Sequence, residues 1–380
     1  MREISKIIVL AKSIDGGTGT FVESLLKLAK LPEKGTLIKT LVLEKPQHRL
    51  LSKAANNFHF FKTQGKYPQN YTLSLSNIVG FLKEISWINK QIGEFEPDVL
   101  LGVGVHANLL LMVHKKILRR NTPAVLTTHI ELNKTLTKKS SPLLKNILTK
   151  IITFFYNQAD INVCVSRKAS TSLKTNFKLK KSPKVIYNGI KTPTKVKSIP
   201  LNTKAPVFIT VTRLTTQKAI ETLIDAFKIF SEKVPSGRLL IVGDGPEKTK
   251  LIKYAKNLHL EKKIQFTGWV SNVNHYLARA NIFTLSSTRE GLPYALLEAM
   301  SQGKPIISTN APTGPSEILD NGKYGLLIPV GNIQKFGKAM IRLGTNKKLY
   351  QKMSRLSQQR SSDFSENKML EGYEKVFLNL

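Results

Sequence analysis

The sequence of 380 residues contains one cysteine, Cys164. A single thiol excludes a disulfide scaffold and any zinc or iron–sulfur site built from several cysteines. A long apolar run is also missing: the longest uncharged candidate, residues 99–114, carries His106, Asn108 and His114 and predicts a strand, a turn and a helix. The first six residues show no secretory apolar region. These absences predict a soluble or peripherally bound intracellular protein.

Acidic residues are scarce. The chain has 59 Lys+Arg against 25 Asp+Glu, a formal net charge of +34. Residues 101–200 alone hold 19 basic and 2 acidic residues, a local net charge of +17. Such a cluster favours a partner that carries phosphate groups, either a nucleic acid or an anionic membrane surface. A lysine-rich, solvated surface is the alternative interpretation of the overall excess.

Short apolar runs alternate with helical patterns along the whole chain. Apolar residues make up 41% of the sequence, enough for folded domains. The runs are nearly continuous in apolar residues, as in parallel strands that are buried on both faces. The pattern predicts two doubly wound α/β domains of about six strands each. The predicted strands are residues 7–10, 37–43, 99–103, 124–128, 161–165, 185–187, 207–211, 239–242, 264–267, 282–285, 306–308 and 326–328.

A stretch with three prolines and little periodicity, residues 191–206, predicts the linker between the domains. The predicted domains are then residues 1–190 and 207–365. Residues 366–380 have apolar positions on one helical face and predict a terminal helix that packs back on the first domain. Because ligands of open α/β sheets bind outside the carboxyl ends of the strands, we expect the two domains to face a central cleft.

Two glutamates follow the strand predicted at residues 282–285. Glu290 lies in the loop after that strand, where Gly291 and Pro293 suit a tight turn, and Glu298 lies one to two turns into the next helix. Backbone N–H groups at the start of this helix can bind an anion or a hydroxyl group. Two carboxylates so placed can each accept hydrogen bonds from sugar hydroxyls. Alternatively, Glu290 caps the helix and Glu298 is solvated.

Two cations follow the first strand of the second domain. Arg213, with its fork of donors, and Lys218, a point charge, can neutralise a diphosphate without a metal ion. The alternative is that both are ordinary surface cations. No Asp-x-Asp pair at a predicted strand end indicates a bound metal–nucleotide complex, so no metal ion and no other cofactor are expected.

Two weaker features lie at strand ends of the first domain. Residues 13–20 form a glycine-rich turn in which Gly17 can approach a phosphate or a sugar, or in which the glycines serve the turn alone. His129 directly follows the strand predicted at residues 124–128. It can contact a sugar hydroxyl or stabilise charge, or it has a structural role.

These motifs occur in order along nearly the whole chain, and together they resemble the retaining, GT-B-fold glycosyltransferases of family 4. The resemblance lies in EGLPYALLEAMSQGKPII, TRLTTQKAIETLIDAF, GDGPE, FTGWV, TGPSEIL, GGTGTF, TTHIE, the Ser166 region and VIYNGI. TGPSEIL and KYGLLIPVGN look like segments of enzymes that build bacterial surface polysaccharides, often with UDP-N-acetylhexosamines. Two positions depart from the family pattern: Ala219 replaces the usual glycine, and the first loop reads Gly-Gly-Thr-Gly-Thr.

The resemblance implies roles for ten residues. Those expected to act on the reacting groups are His129, Glu290, Arg213 and Lys218. Those expected to bind the donor are Gly17, Val270, Gly291, Leu292, Pro293 and Glu298. Within these sets, the two cations would hold the donor diphosphate, Glu290 the donor sugar and Glu298 the ribose. Gly17 would lie beside the phosphates, His129 near the reacting centre and Val270 near the base.

The resemblance also implies a reaction. A hexose or N-acetylhexosamine would move, with retained configuration, from a nucleotide-diphosphate sugar (UDP favoured) bound by the C-terminal domain. The acceptor would be a hydroxyl of a lipid-linked or polysaccharide glycan in cell-envelope biosynthesis, on the N-terminal domain. We expect a cytoplasmic enzyme, peripheral on the inner membrane through the basic region 115–197, whose helix predicted at residues 141–156 can lie on an anionic leaflet. A sugar-nucleotide epimerase of the same fold and a basic nucleic-acid-binding protein are the alternatives, although no nucleic acid is expected.

Overall fold

The alternating apolar and amphipathic segments form two parallel sheets with helices between the strands in the computed structural model of the chain. The structure describes residues 4–30, 36–44, 57–61, 75–117, 121–133, 142–191, 202 and 204–380. The chain divides into a first unit, Met1–Asn188 with Asn367–Leu380, and a second unit, Gly189–Glu366. Most of the predicted linker lies outside the described residues.

The first unit contains a seven-stranded sheet in the order β3-β2-β1-β4-β5-β6-β7. All its strand pairs are parallel, as expected when the connections between strands pass through helices. Its strands are β1 (Lys6–Ala11), β2 (Leu37–Val42), β3 (Phe58–Phe60), β4 (Val99–Val103), β5 (Ala124–Thr128), β6 (Ile161–Cys164) and β7 (Lys184–Val185). Its helices are α1 (Gly17–Leu25), α2 (Leu75–Phe95), α3 (Val105–Ile117), α4 (Pro142–Gln158), α5 (Arg167–Asn176) and α13 (Glu366–Phe377).

The second unit contains a six-stranded parallel sheet in the order β10-β9-β8-β11-β12-β13. Its core includes three aromatic rings from the first strand and the helix that follows it; Phe208 and Phe230 are 4.8 Å apart between ring centroids. Its strands are β8 (Val207–Val211), β9 (Arg238–Val242), β10 (Ile264–Gly268), β11 (Ile282–Leu285), β12 (Ile306–Thr309) and β13 (Leu326–Ile328). Its helices are α6 (Ile220–Lys233), α7 (Lys248–Asn257), α8 (Val273–Arg279), α9 (Tyr294–Ser301), α10 (Gly314–Ile318), α11 (Ile333–Thr345) and α12 (Lys347–Ser361).

The predicted strands are confirmed, with differences at two edge strands. β3 escaped the sequence analysis because it has only three residues and only Phe58 is buried. β7 lies at Lys184–Val185, slightly before the predicted residues 185–187. The apolar run at residues 99–114 forms β4 and α3, as predicted. None of the described helices is long and apolar enough to cross a membrane.

Both sheets have a point where the strand order reverses. In the first unit it lies between β1 and β4, and in the second between β8 and β11. Helices after neighbouring strands at such a point leave towards opposite faces of the sheet, so a crevice opens at the carboxyl ends of the strands. The candidate functional residues lie on the segments that leave these ends.

Candidate functional site

Lys218 and Glu290 form an ion pair at the carboxyl edge of the second sheet. Lys218 ends a short 3-10 helix, Thr216–Lys218, between β8 and α6, and Glu290 lies between β11 and α9. The distance from Lys218 Nζ to Glu290 Oε1 is 2.7 Å, and the side chains are 20% and 7% exposed. The ammonium group has three donors. One N–H can therefore hold the carboxylate while the others remain available to a phosphate oxygen.

Hydrogen bonds between the two loops fix this ion pair. Gln217 Nε2 donates to the Arg289 carbonyl at 2.8 Å, and the Thr288 amide donates to the Gln217 carbonyl at 2.9 Å. Ser286 Oγ donates to the Lys218 carbonyl at 2.8 Å. The roles of Gln217, Thr288 and Ser286 were not predicted from the sequence. Their position directly beside Lys218 and Glu290 within the same motifs is the signal that points to them.

The segment before α10 supports the loop from the other side. Thr313 Oγ1 donates to the Glu290 carbonyl and lies 3.2 Å from the Gly291 carbonyl oxygen. A Cβ atom on Gly314 would come within 1.9 Å of that same Gly291 oxygen. The Thr-Gly pair of the TGPSEIL motif therefore allows two backbone segments to approach closely, and a larger residue at position 314 would displace the Glu290 loop.

Glu290 does not cap α9. The N-cap residue is Pro293, and no side chain caps the helix, so its first backbone N–H groups are not used by a side-chain cap. Leu292 is 4% exposed and Gly291 is buried, which gives the loop an apolar lining. This geometry excludes the interpretation of Glu290 as a simple helix cap.

Glu298 lies in α9 and is half-buried. Among the described residues its carboxylate makes no hydrogen bond and no ion pair. Burial raises the pKa of this carboxyl group above its usual value. A half-buried, unpartnered acceptor beside a binding loop is suited to accept hydrogen bonds from ligand hydroxyls.

Two other predicted site residues of the second unit lie on the segments after β8 and β10. Arg213 is exposed on the segment directly after β8. Val270 is half-buried in the turn after β10, and β9 lies between β10 and β8. The sheet thus brings Lys218 and Glu290 into contact and places Arg213 on the same loop as Lys218, whereas Val270 follows an edge strand, β10.

Ala219 adopts left-handed backbone angles, φ 47° and ψ 48°. The side chain of an L-residue is crowded in this conformation, and glycine adopts it without that cost. Ala219 joins the 3-10 helix that carries Lys218 to α6, so the turn is strained next to the ion pair.

His129 lies at the carboxyl edge of the first sheet, directly after β5. Its Nε2 is 3.1 Å from Thr127 Oγ1, and the Thr127 hydroxyl donates to the Gly102 carbonyl at 2.8 Å. Since that hydroxyl has one hydrogen, it accepts from Nε2–H of His129, and Nδ1 is left with a free lone pair. Burial lowers the pKa of His129 to about 4, so the ring is neutral at pH 7.

A small cavity opens beside His129. Its volume is about 150 Å³, and it lies where the segments after β1, β4 and β5 meet. The residues that line it are Thr18, Val103, Gly104, Val105, Thr128, His129 and Ile130. Phe21 of α1 packs edge-on against the His129 ring at 4.6 Å between centroids. The imidazole is therefore held at the wall of a cavity at the strand reversal of the first sheet.

The backbone of the turn after β1 requires glycine at two positions. Gly16 has a φ of 60°, and α1 begins at Gly17. A Cβ atom on Gly19 would come within 2.1 Å of the Ile14 carbonyl oxygen. At least part of this glycine pattern thus serves the turn, while Gly17 and Thr18 begin the helix at the edge of the cavity. Within the described part of the chain, no group of three His, Cys, Asp or Glu side chains is placed to hold a metal ion.

Comparison with known proteins identifies related sequences over most of the chain. The family described as Glycosyltransferase Family 4 matches residues 41–193, and the family described as Glycosyl transferases group 1 matches residues 191–360. An uncharacterized glycosyltransferase of Methanocaldococcus jannaschii is 32% identical over 274 residues, 65% of this chain and 67% of that protein. The lipopolysaccharide 1,6-galactosyltransferase of Escherichia coli is 26% identical over 276 residues, 70% of this chain and 72% of that protein. Two other relatives align over less than half of their own length.

Solved structures share the fold. The Anabaena protein HepE, in complex with UDP and glucose, has a TM-score of 0.78 and 19% sequence identity, with 99% of this chain and all of that chain covered. At this identity the likeness establishes the fold, two parallel sheets with interleaved helices, as predicted. The sequence relatives and the two family matches establish the rest: the chain is a member of the family 4 glycosyltransferases of the GT-B fold.

Proposed function

We propose that this glycosyltransferase moves a hexose or N-acetylhexosamine from a UDP-sugar to a hydroxyl of a lipid-linked or polysaccharide glycan, with retention of the anomeric configuration. The observation that carries the proposal is the ion pair between Lys218 and Glu290 at the strand reversal of the second sheet. A cation and a carboxylate side by side match the two parts of a nucleotide sugar. The diphosphate needs positive charge, and the sugar offers hydroxyl donors.

The diphosphate would be bound by charge and by backbone donors. Lys218 keeps two N–H donors beyond the one that holds Glu290. Arg213 on the same loop adds a fork of donors. The start of α9 adds backbone N–H groups and the positive end of the helix dipole. These groups neutralise a leaving diphosphate without a metal ion, and we propose that the enzyme uses none.

The carboxylates would bind the neutral parts of the donor. Glu290 would accept hydrogen bonds from sugar hydroxyls while Lys218 holds its other side, and Glu298 would accept from the ribose. Gly291, Leu292 and Pro293 would line the sugar pocket, and Val270 would lie at the base.

The transfer step would depend on stabilising the departing diphosphate. The bond between the anomeric carbon and the phosphate oxygen breaks, the acceptor oxygen bonds to the same face of that carbon, and the acceptor proton passes to the leaving phosphate. A preorganised donor to developing charge is typically worth about 2.7–4 kcal/mol of the barrier. Arg213→Ala is therefore expected to lower turnover roughly 100-fold; unchanged turnover would contradict the role of Arg213.

His129 would act as a hydrogen-bond acceptor and not as an acid. With a pKa of about 4 the ring is neutral at pH 7 and is not an imidazolium acid, and its Nδ1 lone pair can accept from a hydroxyl. Gly17, at the start of α1, would lie beside the phosphates. Both roles are part of the proposal that follows from the family.

Relatives support the choice of substrates. HepE has been solved with UDP and glucose bound, and the Escherichia coli relative is a lipopolysaccharide galactosyltransferase. By analogy, we propose that the donor is a UDP-sugar and that the product belongs to a cell-surface glycan.

The test is to incubate the full chain with UDP-glucose, UDP-galactose and UDP-N-acetylhexosamines, with and without sugar acceptors, and to follow the anomeric proton of the product by NMR. The proposal predicts release of UDP that depends on acceptor, an α-linked product from an α-linked donor, and no loss on addition of a chelator. Conversion of the donor to an epimer without acceptor would favour the epimerase instead. A β-linked product would overturn retention.

A further inference from the structure

Arg360, near the end of α12, donates two hydrogen bonds to the carboxyl end of the short helix α10. Its Nε donates to the Ile318 carbonyl at 2.9 Å, and its Nη2 donates to the Glu317 carbonyl at 3.0 Å. The last carbonyl groups of a helix have no partner within the helix, and a cation at that end interacts favourably with the helix dipole. The guanidinium group therefore caps α10 with two donors and a positive charge.

Three neighbours fix the guanidinium group in this position. Nη1 donates to Asp363 Oδ2 at 2.8 Å, and the guanidinium carbon lies 5.3 Å and 5.0 Å from the ring centroids of Tyr324 and Phe364. A planar guanidinium group donates in a fork and stacks on aromatic faces, whereas a lysine ammonium group is a point charge. The site is thus built for arginine and not for a cation in general.

Helix α10 needs such a cap because it is only five residues long, Gly314–Ile318. Nucleating a helical turn is unfavourable, so a helix of this length is not stable on its own. No side chain caps its N-terminus. The contacts of Arg360 at the other end are therefore a large part of what keeps this turn helical.

The residue directly before α10 has a strained backbone. Thr313 has φ 80° and ψ −100°, and a β-branched residue with positive φ persists only where its surroundings impose that conformation. Thr313 is buried, and its hydroxyl donates to the Glu290 carbonyl. The strain thus lies at the point where α10 meets the loop of the ion pair.

We propose that Arg360 is a positioning residue for Glu290. By capping one end of α10, Arg360 keeps the other end, at Thr313 and Gly314, in contact with the loop after β11. The inference deepens the proposed function and rests on it, because Glu290 is the residue proposed to bind the donor sugar. Arg360 acts on the sugar subsite through α10 and does not itself bind the donor.

The test compares two variants of Arg360 with a matched control. Arg360→Met removes the charge and every donor, and Arg360→Lys keeps the charge but has no fork. The control, Arg355→Met, changes an exposed arginine on the same helix. Circular dichroism checks the fold of each variant. Should Arg360→Met fail to fold, the milder Arg360→Lys carries the comparison.

The first measurement is amide hydrogen exchange without ligand. In Arg360→Met we expect exchange to become roughly tenfold faster in residues 313–319 and also in the loop of residues 286–293, the factor for one lost hydrogen bond to a charged group. Arg360→Lys should lie between this variant and the unaltered chain, and Arg355→Met should change neither segment. Faster exchange confined to residues 313–319, or no change in either segment, would overturn the inference.

The second measurement separates positioning from general stabilisation of the second unit. Titration calorimetry gives the Kd of UDP and of UDP-glucose, UDP-galactose and UDP-N-acetylglucosamine. Since Glu290 is proposed to hold the sugar, Arg360→Met should weaken the tightest UDP-sugar roughly tenfold more than it weakens UDP. Arg360→Lys should show part of this difference, and Arg355→Met should show none. Equal weakening of UDP and UDP-sugar would mean that Arg360 serves stability alone.

The two measurements also distinguish this inference from the proposed function. An unaltered chain that binds none of these UDP-sugars would contradict the proposed function. Hydrogen exchange would still decide, without any ligand, whether Arg360 holds the Glu290 loop in place.

Discussion

The ion pair between Lys218 and Glu290 offsets the cost of burying either charge in the second unit. A carboxylate that is 7% exposed would have a high cost without a partner, and Lys218 lies 2.7 Å from it. The two residues are 72 positions apart in sequence, and the motifs that carry them predicted a shared ligand but not their direct contact. The contact depends on the adjacency of β8 and β11 in the sheet. This adjacency brings Lys218, the residue proposed to bind phosphate, into an ion pair with Glu290, the residue proposed to bind the sugar.

The ion pair predicts a non-additive mutant cycle. Lys218→Met alone leaves a buried charge unpaired and should lower the free energy of unfolding by about 3–5 kcal/mol. The double variant Lys218→Met/Glu290→Gln removes that charge too and should be more stable than the single one. Urea denaturation of these two variants and of Glu290→Gln alone completes the cycle.

A matched control for this cycle is the pair of Lys248 and Asp244, whose side chains are 32% and 37% exposed at 2.9 Å. Lys248→Met should cost no more than about 1 kcal/mol, as is usual for exposed pairs. Single-variant effects at positions 218 and 290 that simply add within about 0.5 kcal/mol would mean that the two side chains do not interact.

His129 predicts a specific dependence of stability on pH. Its pKa is about 4 in the folded protein and about 6.5 in an unfolded chain. Between these values the unfolded chain takes up a proton that the folded protein refuses, so stability falls as pH falls. The difference reaches about 3 kcal/mol near pH 4.

In His129→Gln the titrating group is absent and the side chain can still donate to Thr127. Between about pH 6.5 and pH 4, the free energy of unfolding of this variant should therefore fall by about 3 kcal/mol less than that of the unaltered chain. Parallel pH profiles for the two proteins would show that His129 is solvated like the histidine of an unfolded chain.

At the scale of the elements, the residue directly before α6, Ala219, has a strained backbone conformation. Ala219 departs from the family's glycine, and its left-handed backbone explains why glycine is the usual residue. Ala219→Gly removes the crowding but adds freedom to the unfolded chain. The net change should be a gain of up to about 1 kcal/mol.

The opposite substitution provides the contrast. Ala219→Val places a branched Cβ in the same conformation and should lower stability by more than about 1 kcal/mol. Urea denaturation of both variants decides the matter. A destabilised Ala219→Gly or a tolerated Ala219→Val would mean that residue 219 is not left-handed in solution.

Which elements the sequence could predict follows from their length and burial. β4 is buried throughout and is visible as an unbroken run of apolar residues and glycine, and β5 is buried throughout and begins with three apolar residues. β3 is not, because His59 is exposed and the strand is only three residues long. The contacts of Thr313 and Gly314 with the Glu290 loop depend on the order of β11 and β12 in the sheet, which no local pattern contains.

At the scale of the whole molecule, charge of one sign opposes folding. A formal net charge of +34 makes the compact state repel itself, and salt screens this repulsion. Raising sodium chloride from about 0.01 M to about 0.15 M shortens the screening length from about 30 Å to about 8 Å. The thermal midpoint should therefore rise by a few degrees. A midpoint that falls would show that the surface ion pairs outweigh the repulsion.

The most direct test of the account is thermal stabilisation of the full chain by a panel of UDP, GDP, ADP and their sugar conjugates. A ligand at 100 times its Kd adds about 2.7 kcal/mol to the folded state, which a melting curve resolves. The account predicts a shift with the uridine ligands that is lost in Lys218→Met/Glu290→Gln and kept in Lys248→Met. An equal shift in the double variant, or none with any nucleotide, would contradict a donor site at the Lys218–Glu290 pair.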